Sequence, residues 1–113
     1  MSNSFVNAKL DLTSTDNTTL YTTPTANVCL VKSLLVSNDA GSSCNITVTL
    51  TDSSGNVFSL FKTKAVDTNT TVELLTQPLV VEESEILKVQ ASDANELHVI
   101  ASILQIQPRE VTT

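Results

Sequence analysis

The stretch Cys44-Asn45-Ile46-Thr47-Val48-Thr49-Leu50-Thr51 decides how this chain folds. Cys44, Ile46, Val48 and Leu50 alternate with Asn45, Thr47, Thr49 and Thr51. Successive side chains of a strand point to opposite faces, so this spacing gives one dry face and one hydroxyl-bearing face. A helix would scatter the same residues around its circumference. Asp52-Ser53-Ser54-Gly55-Asn56 follows, and Gly55 is free to take the left-handed conformation that longer hairpin loops use. The chain is expected to return antiparallel through residues 57–62.

Outward from this hairpin the same period recurs. In Leu97–Gln107, Leu97, Val99, Ala101 and Ile103 form one face, while Ile100, Leu104 and Ile106 share the other with His98. A strand apolar on both faces is either central in a covered sheet or part of a subunit interface. His98, Ile100, Leu104 and Ile106 are therefore candidate interface residues. Residues 85–92 are expected to pair with this strand across Asp93-Ala94-Asn95-Glu96. Residues 30–37 are expected to form a hairpin with Cys44–Thr51. Residues 5–12 and 18–23 read as shorter strands. Residues 71–75 and 79–81 flank Pro78, whose missing amide proton suits a sheet edge or a bend.

The total is about eight strands in a single antiparallel β-sandwich, jelly-roll or immunoglobulin-like, and periodicity does not choose between the two. One domain is expected over residues 1–113, with short arms at 1–4 and 108–113. Composition agrees. The 113 residues include 17 Thr, 13 Ser and 9 Asn, are 41% hydrophobic and only 16% charged, and contain no Trp. Thr and Val fit pleated, half-buried surfaces and are poor helix formers, so an all-β fold is expected.

Charge and hydropathy exclude some partners. The net charge is −6, and Lys9, Lys32, Lys62, Lys64, Lys88 and Arg109 are scattered. Binding to phosphates needs a clustered positive field, so no direct nucleic-acid contact is expected. No apolar run approaches the ~20 residues of a membrane span. Met1-Ser2-Asn3-Ser4-Phe5 lacks the basic and apolar parts of a secretory signal, which points to a cytosolic site of assembly.

The search for chemistry yields little. Cys29 and Cys44 are read as free, buried thiols, because a hairpin register through residues 38–43 would separate them by roughly 25 Å. Without nearby histidines they do not make a zinc site. His98 is the only histidine; a catalytic reading needs a nucleophile or acid poised beside it, and Glu96-Leu97-His98-Val99-Ile100 shows no recognisable arrangement of that kind. Glu82, Glu83 and Glu85 supply oxygens of the kind calcium takes, yet the same charges suit a solvated turn that protects an edge. Asp52 to Asn56 lacks the alternating carboxylates of a calcium loop. Asn17, Asn45 and Asn69 match the N-glycosylation triplet by composition alone. With one Tyr (Tyr21) and three Phe (Phe5, Phe58, Phe61), a stacking surface for sugars is poorly supplied. No catalytic, metal-binding or cofactor-binding residue is expected.

One longer pattern stands out. Residues 32–38 are followed by Ile46-Thr47-Val48-Thr49-Leu50-Thr51-Asp52, then Leu74-Leu75-Thr76-Gln77-Pro78-Leu79, then Leu87-Lys88-Val89-Gln90-Ala91-Ser92 and Leu97-His98-Val99-Ile100-Ala101-Ser102. Over residues 32–106 this resembles small β-sandwich virion proteins of tailed bacteriophages, particularly those of marine and cyanobacterial hosts. Those proteins often carry Glu-x-Gly-Asp where this chain has Glu82-Glu83-Ser84-Glu85. The resemblance implies a capsid decoration (cement) protein in the virion, assembled in the host cytoplasm. Its partners would be the major capsid protein or other virion proteins, and it would form a homo-oligomer with three-fold symmetry favoured. The alternatives are a neck, collar, tail or fibre component, and a host-receptor or carbohydrate-binding β-sandwich.

Overall fold

The computed structural model describes residues 2–107, and every regular element in that range is a strand. The strands are β1 (Ser2–Leu12), β2 (Thr18–Thr22), β3 (Val28–Asn38), β4 (Cys44–Thr51), β5 (Val57–Val66), β6 (Thr70–Glu73), β7 (Leu79–Val81), β8 (Ile86–Ala91) and β9 (Leu97–Gln107). Sheet A has the order β1-β9-β3-β6, with β7 also paired to β3, and sheet B the order β2-β8-β4-β5. All pairs are antiparallel; one set is nested, β1 with β9, β2 with β8, β3 with β6 and β7, and β4 with β5, while β9 with β3 and β8 with β4 join these hairpins into the two sheets. With β6 and β7 taken as one interrupted strand, this is a long hairpin rolled up on itself, the jelly roll. The expected all-β sandwich is present, and strand order selects the jelly roll over the immunoglobulin-like alternative.

The dry face of β4 enters the core as its spacing requires, with Cys44, Ile46 and Val48 at most 1% exposed. Facing it across the sandwich are Leu97, Val99, Ala101 and Ile103 of β9 and Val31, Leu34 and Val36 of β3. Full burial of each Leu, Ile or Val stabilises by roughly 1.5–3 kcal/mol. On β3 the inward phase changes midway. Cys29 and Val31 face in, Lys32 and Ser33 do not, then Leu34 and Val36 face in again. A register shift against β9 between Val31 and Ser33 marks the bulge that causes this. Glu73 of β6 braces it. Its carboxylate accepts hydrogen bonds from the Ser33 hydroxyl and from the amides of Leu34 (2.7 Å) and Leu75 (3.2 Å). Burial pushes the Glu73 carboxyl up, but these donors together hold it below the usual carboxylate range.

Two expected hairpins are corrected. Only β4 and β5 pair as neighbours in sequence. β3 and β4 lie in different sheets, as do β8 and β9. Residues 39–43 and 92–96 are arches across the sandwich. Alternation states which side chains face inward. It does not state whether the next strand sits beside or opposite, since both arrangements bury the same residues. Asn38, 1% exposed, fixes the first arch by donating to the carbonyls of Ser42 (2.9 Å) and Val66 (3.0 Å) and accepting from the Ala40 amide (2.9 Å). The hairpin register used to separate the cysteines therefore does not exist, although both thiols are free and buried.

The turns follow their side chains. Asp52 accepts from the amides of Ser54 and Asn56 (2.9 Å each), and Gly55 has φ +89° as expected. These backbone donors, Asn56 foremost, lower the Asp52 carboxyl. In the acidic turn Ser84 takes φ +66° at the place where the resembling proteins carry glycine. The Glu83 carboxylate accepts from the Ala26 amide (2.6 Å) and that of Glu85 from the Glu82 amide (2.8 Å), so these acids brace backbone. Pro78 lies between the two short pieces β6 and β7 at the edge of sheet A, as its chemistry suggests. Of the two arms, residues 2–4 belong to β1, and 108–113 lie outside the described residues.

Candidate functional site

The outward face of sheet A carries the features that the fold itself does not use. Its central strand β9 sits between β1 and β3, so its outward side chains lie in rows that cross the sheet. Phe5 of β1 is opposite Leu104, Leu104 opposite Leu30 of β3, and Leu30 opposite Val80 of β7. Phe5 is 80% exposed and Val80 52%. The next row outward holds Ile106 and Val28. Further along, Lys9, Ile100, Leu35 and Glu73 form a mixed row, with Ile100 39% exposed. The polar row Asn7, Ser102 and Ser33 separates the apolar end from this mixed one.

At the far end Asp11, His98, Ser37 and Thr71 align. His98 Nε2 lies 3.2 Å from Asp11 Oδ1, and Nδ1 lies 4.0 Å from Asp39 Oδ1. All three side chains are substantially exposed, so the pairs contribute little, about 0–1 kcal/mol each. A shallow, open depression of about 360 Å³ lies between Lys9, Asp11, His98 and Ile100.

The four β9 residues singled out from sequence, His98, Ile100, Leu104 and Ile106, thus share one face. Sequence reading did not find Phe5, Leu30 or Val80, because each belongs to a different strand and only register joins them. Phe5 carried the available signal. It is a large aromatic two residues before Asn7 and four before Lys9, in phase with polar rather than apolar neighbours.

Other clusters are engaged in structure. The Tyr21 hydroxyl donates to Gln105 Oε1 (2.6 Å) and lies 3.1 Å from Cys29 Sγ, tying sheet B to sheet A. Burial first, then the Cys29 contact, raises the Tyr21 hydroxyl well above its ordinary range. Cys44 Sγ and carboxylate oxygens of Asp93 and Glu96 lie within 4.8 Å of one another. Each already has a hydroxyl partner, Ser92 for Cys44 (3.4 Å) and Asp93 (3.3 Å), and Ser42 for Glu96.

No family model and no curated protein matches this chain. Solved structures do. A chain from Bacillus endospore appendages, described as a family of disulfide-linked pili, aligns with TM-score 0.58 and 11% identity, over 92% of this chain and 85% of that one. A chain of the T13 IBDV viral particle aligns with TM-score 0.53 and 10% identity, over 91% of this chain and 30% of that one. The infectious bursal disease virus Gx strain gives TM-score 0.52 and 10% identity, over 98% of this chain and 35% of that one. This chain therefore spans about a third of the viral chains it matches. At these identities the likeness is one of fold. It leaves the outward face of sheet A to be argued from its own residues.

Proposed function

We propose that this chain is a non-catalytic structural subunit of a virion, most specifically a decoration protein seated on the head shell of a tailed phage. The observation that carries the reading is the row Phe5–Leu104–Leu30–Val80. It is apolar and spans sheet A from β1 to β7, with Phe5 and Val80 exposed at its ends and Leu104 and Leu30 half-buried between them. Contiguous exposed apolar rows flanked by polar ones mark protein contact surfaces. Covering Phe5 alone removes enough apolar area to contribute about 1.5–3 kcal/mol. Many such modest contacts repeated over a shell reinforce it without chemistry. The jelly-roll likeness to chains of icosahedral viral particles, and the sequence pattern shared with phage virion proteins, support the same reading. Quantitative mass spectrometry of purified particles tests it. Hundreds of copies per particle are expected, a dozen or fewer would move the chain to the neck or tail, and absence would reject the proposal.

A second reading has its own support. The chain matches the appendage subunit over most of both chains, which suits a subunit of a filament rather than a shell. Electron microscopy of the purified protein separates the two, since filaments without any particle favour the second.

A further inference from the structure

We propose that β1 is a strand-addition site, through which two copies of this chain join edge to edge about a two-fold axis at Asn7. The four sheet edges differ. β2 has five residues and a register shift. β6 and β7 are short pieces with Pro78 between them. β5 carries two register shifts, a left-handed Thr63 (φ +49°) and the exposed Lys62 and Lys64. Breaks, bulges and lysines of this kind keep an edge from accepting another strand. β1 has none of the breaks. It pairs with β9 through eleven consecutive residues without a shift, and no described residue pairs with its other side. Its inward residues Val6, Ala8 and Leu10 stay half-buried, whereas Val99, Ala101 and Ile103 beside them on β9 are at most 1% exposed. The sandwich is open along this edge.

The side-chain pattern of β1 fits a second copy. Full antiparallel overlap of two Ser2–Leu12 strands centres the axis on Asn7. Inward residues then meet inward residues, with Val6 opposite Ala8 of the partner subunit. Outward, Phe5 lies opposite Lys9 of the partner subunit, and Asn3 opposite Asp11 of the partner subunit. The two charges of β1 never oppose their own kind, and each Lys9 ammonium is offered an aromatic ring. The backbone ladder supplies affinity as in other strand additions, and self-complementarity about an axis is what a two-fold contact requires. The joint also sets the Phe5–Leu104–Leu30–Val80 row end to end with the partner's Lys9–Ile100–Leu35 row, making one continuous face from two five-stranded sheets. A two-fold joint differs from the three-fold ring that the sequence resemblance favours.

Light scattering on the full chain tests this. The wild type is expected to be a dimer or an even-numbered multiple. Asn7 is exposed in the single chain, so Asn7→Lys and Asn7→Asp should keep the β-type dichroism spectrum. Each should weaken the dimer roughly tenfold or more, because two like charges meet at the axis. An equimolar mixture of the two variants should recover it. A wild type that stays monomeric at every concentration, a three-fold assembly, or a dimer indifferent to both variants would overturn the proposal. None of these outcomes bears on copy number in particles, so the joint and the decoration role fail separately.

Discussion

The two sheets bury similar interiors and present different exteriors. Outside sheet B, Thr47 and Thr49 of β4 stand beside Gln90 and Lys88 of β8, so hydroxyl, amide and ammonium groups dominate its middle. Outside sheet A, Phe5, Leu104, Leu30 and Val80 cross from edge to edge. Sheet stability does not ask for this difference, because an antiparallel sheet needs only one dry face. The exposed apolar side chains of sheet B, Val57 (63%) and Phe58 (53%), lie together at the start of its edge strand β5 and not in a row across the sheet. The sheet A exterior is the face that the proposed function sets against a neighbour.

The comparison can be broken or sharpened by substitution. The largest effect belongs to the interior that both faces share. Leu34→Ala, at a fully buried position, should cost about 2–5 kcal/mol, read as a drop in the urea or thermal midpoint. Next comes Leu104→Asp in the middle of the apolar row. It should change the thermal midpoint little while abolishing association with particles, whereas global unfolding would mean that the row is part of the core. Glu73→Gln should then cost on the order of 1 kcal/mol, since its hydrogen bonds are made at an exposed position. Its pH dependence has a defined sign. The folded carboxyl titrates below its unfolded value, so its contribution is full above the ordinary carboxylate range and is lost as pH falls through the folded value. Wild type and Glu73→Gln should therefore differ at pH 7 and converge in acid, in thermal melts at matched salt. The smallest effect is Thr47→Ser outside sheet B, which keeps the hydroxyl that accepts from the Thr63 amide (3.0 Å) and is expected within about 0.5 kcal/mol of wild type and neutral for assembly.

Much of the interior was legible because period 2 is a local signal. Cys44–Thr51 and Leu97–Gln107 have the expected bounds and inward residues, and the alternation on β9 separates Val99 from Ile100 correctly. Pro78 announced an edge because a missing amide proton has only a few tolerable places in a sheet. What local signals lack is the third dimension. The arches at 39–43 and 92–96 read as hairpins in sequence because either connection leaves the buried set unchanged. The bulge on β3 was written in the sequence, since Val31 and Leu34 are three apart with Lys32-Ser33 between them, a phase break that regular alternation forbids. The site was half legible. His98, Ile100, Leu104 and Ile106 could be put on one face, but their neighbours Phe5, Leu30 and Val80 depend on registers between strands far apart in sequence.

Density for this chain on an intact particle, from electron cryomicroscopy at a resolution that separates strands, bears most directly on the central claim. The account predicts Phe5, Leu104, Leu30 and Val80 packed against a neighbouring protein, with Thr47 and Gln90 turned to solvent. Density with the sheet B exterior seated on the shell and the sheet A rows facing water would contradict it.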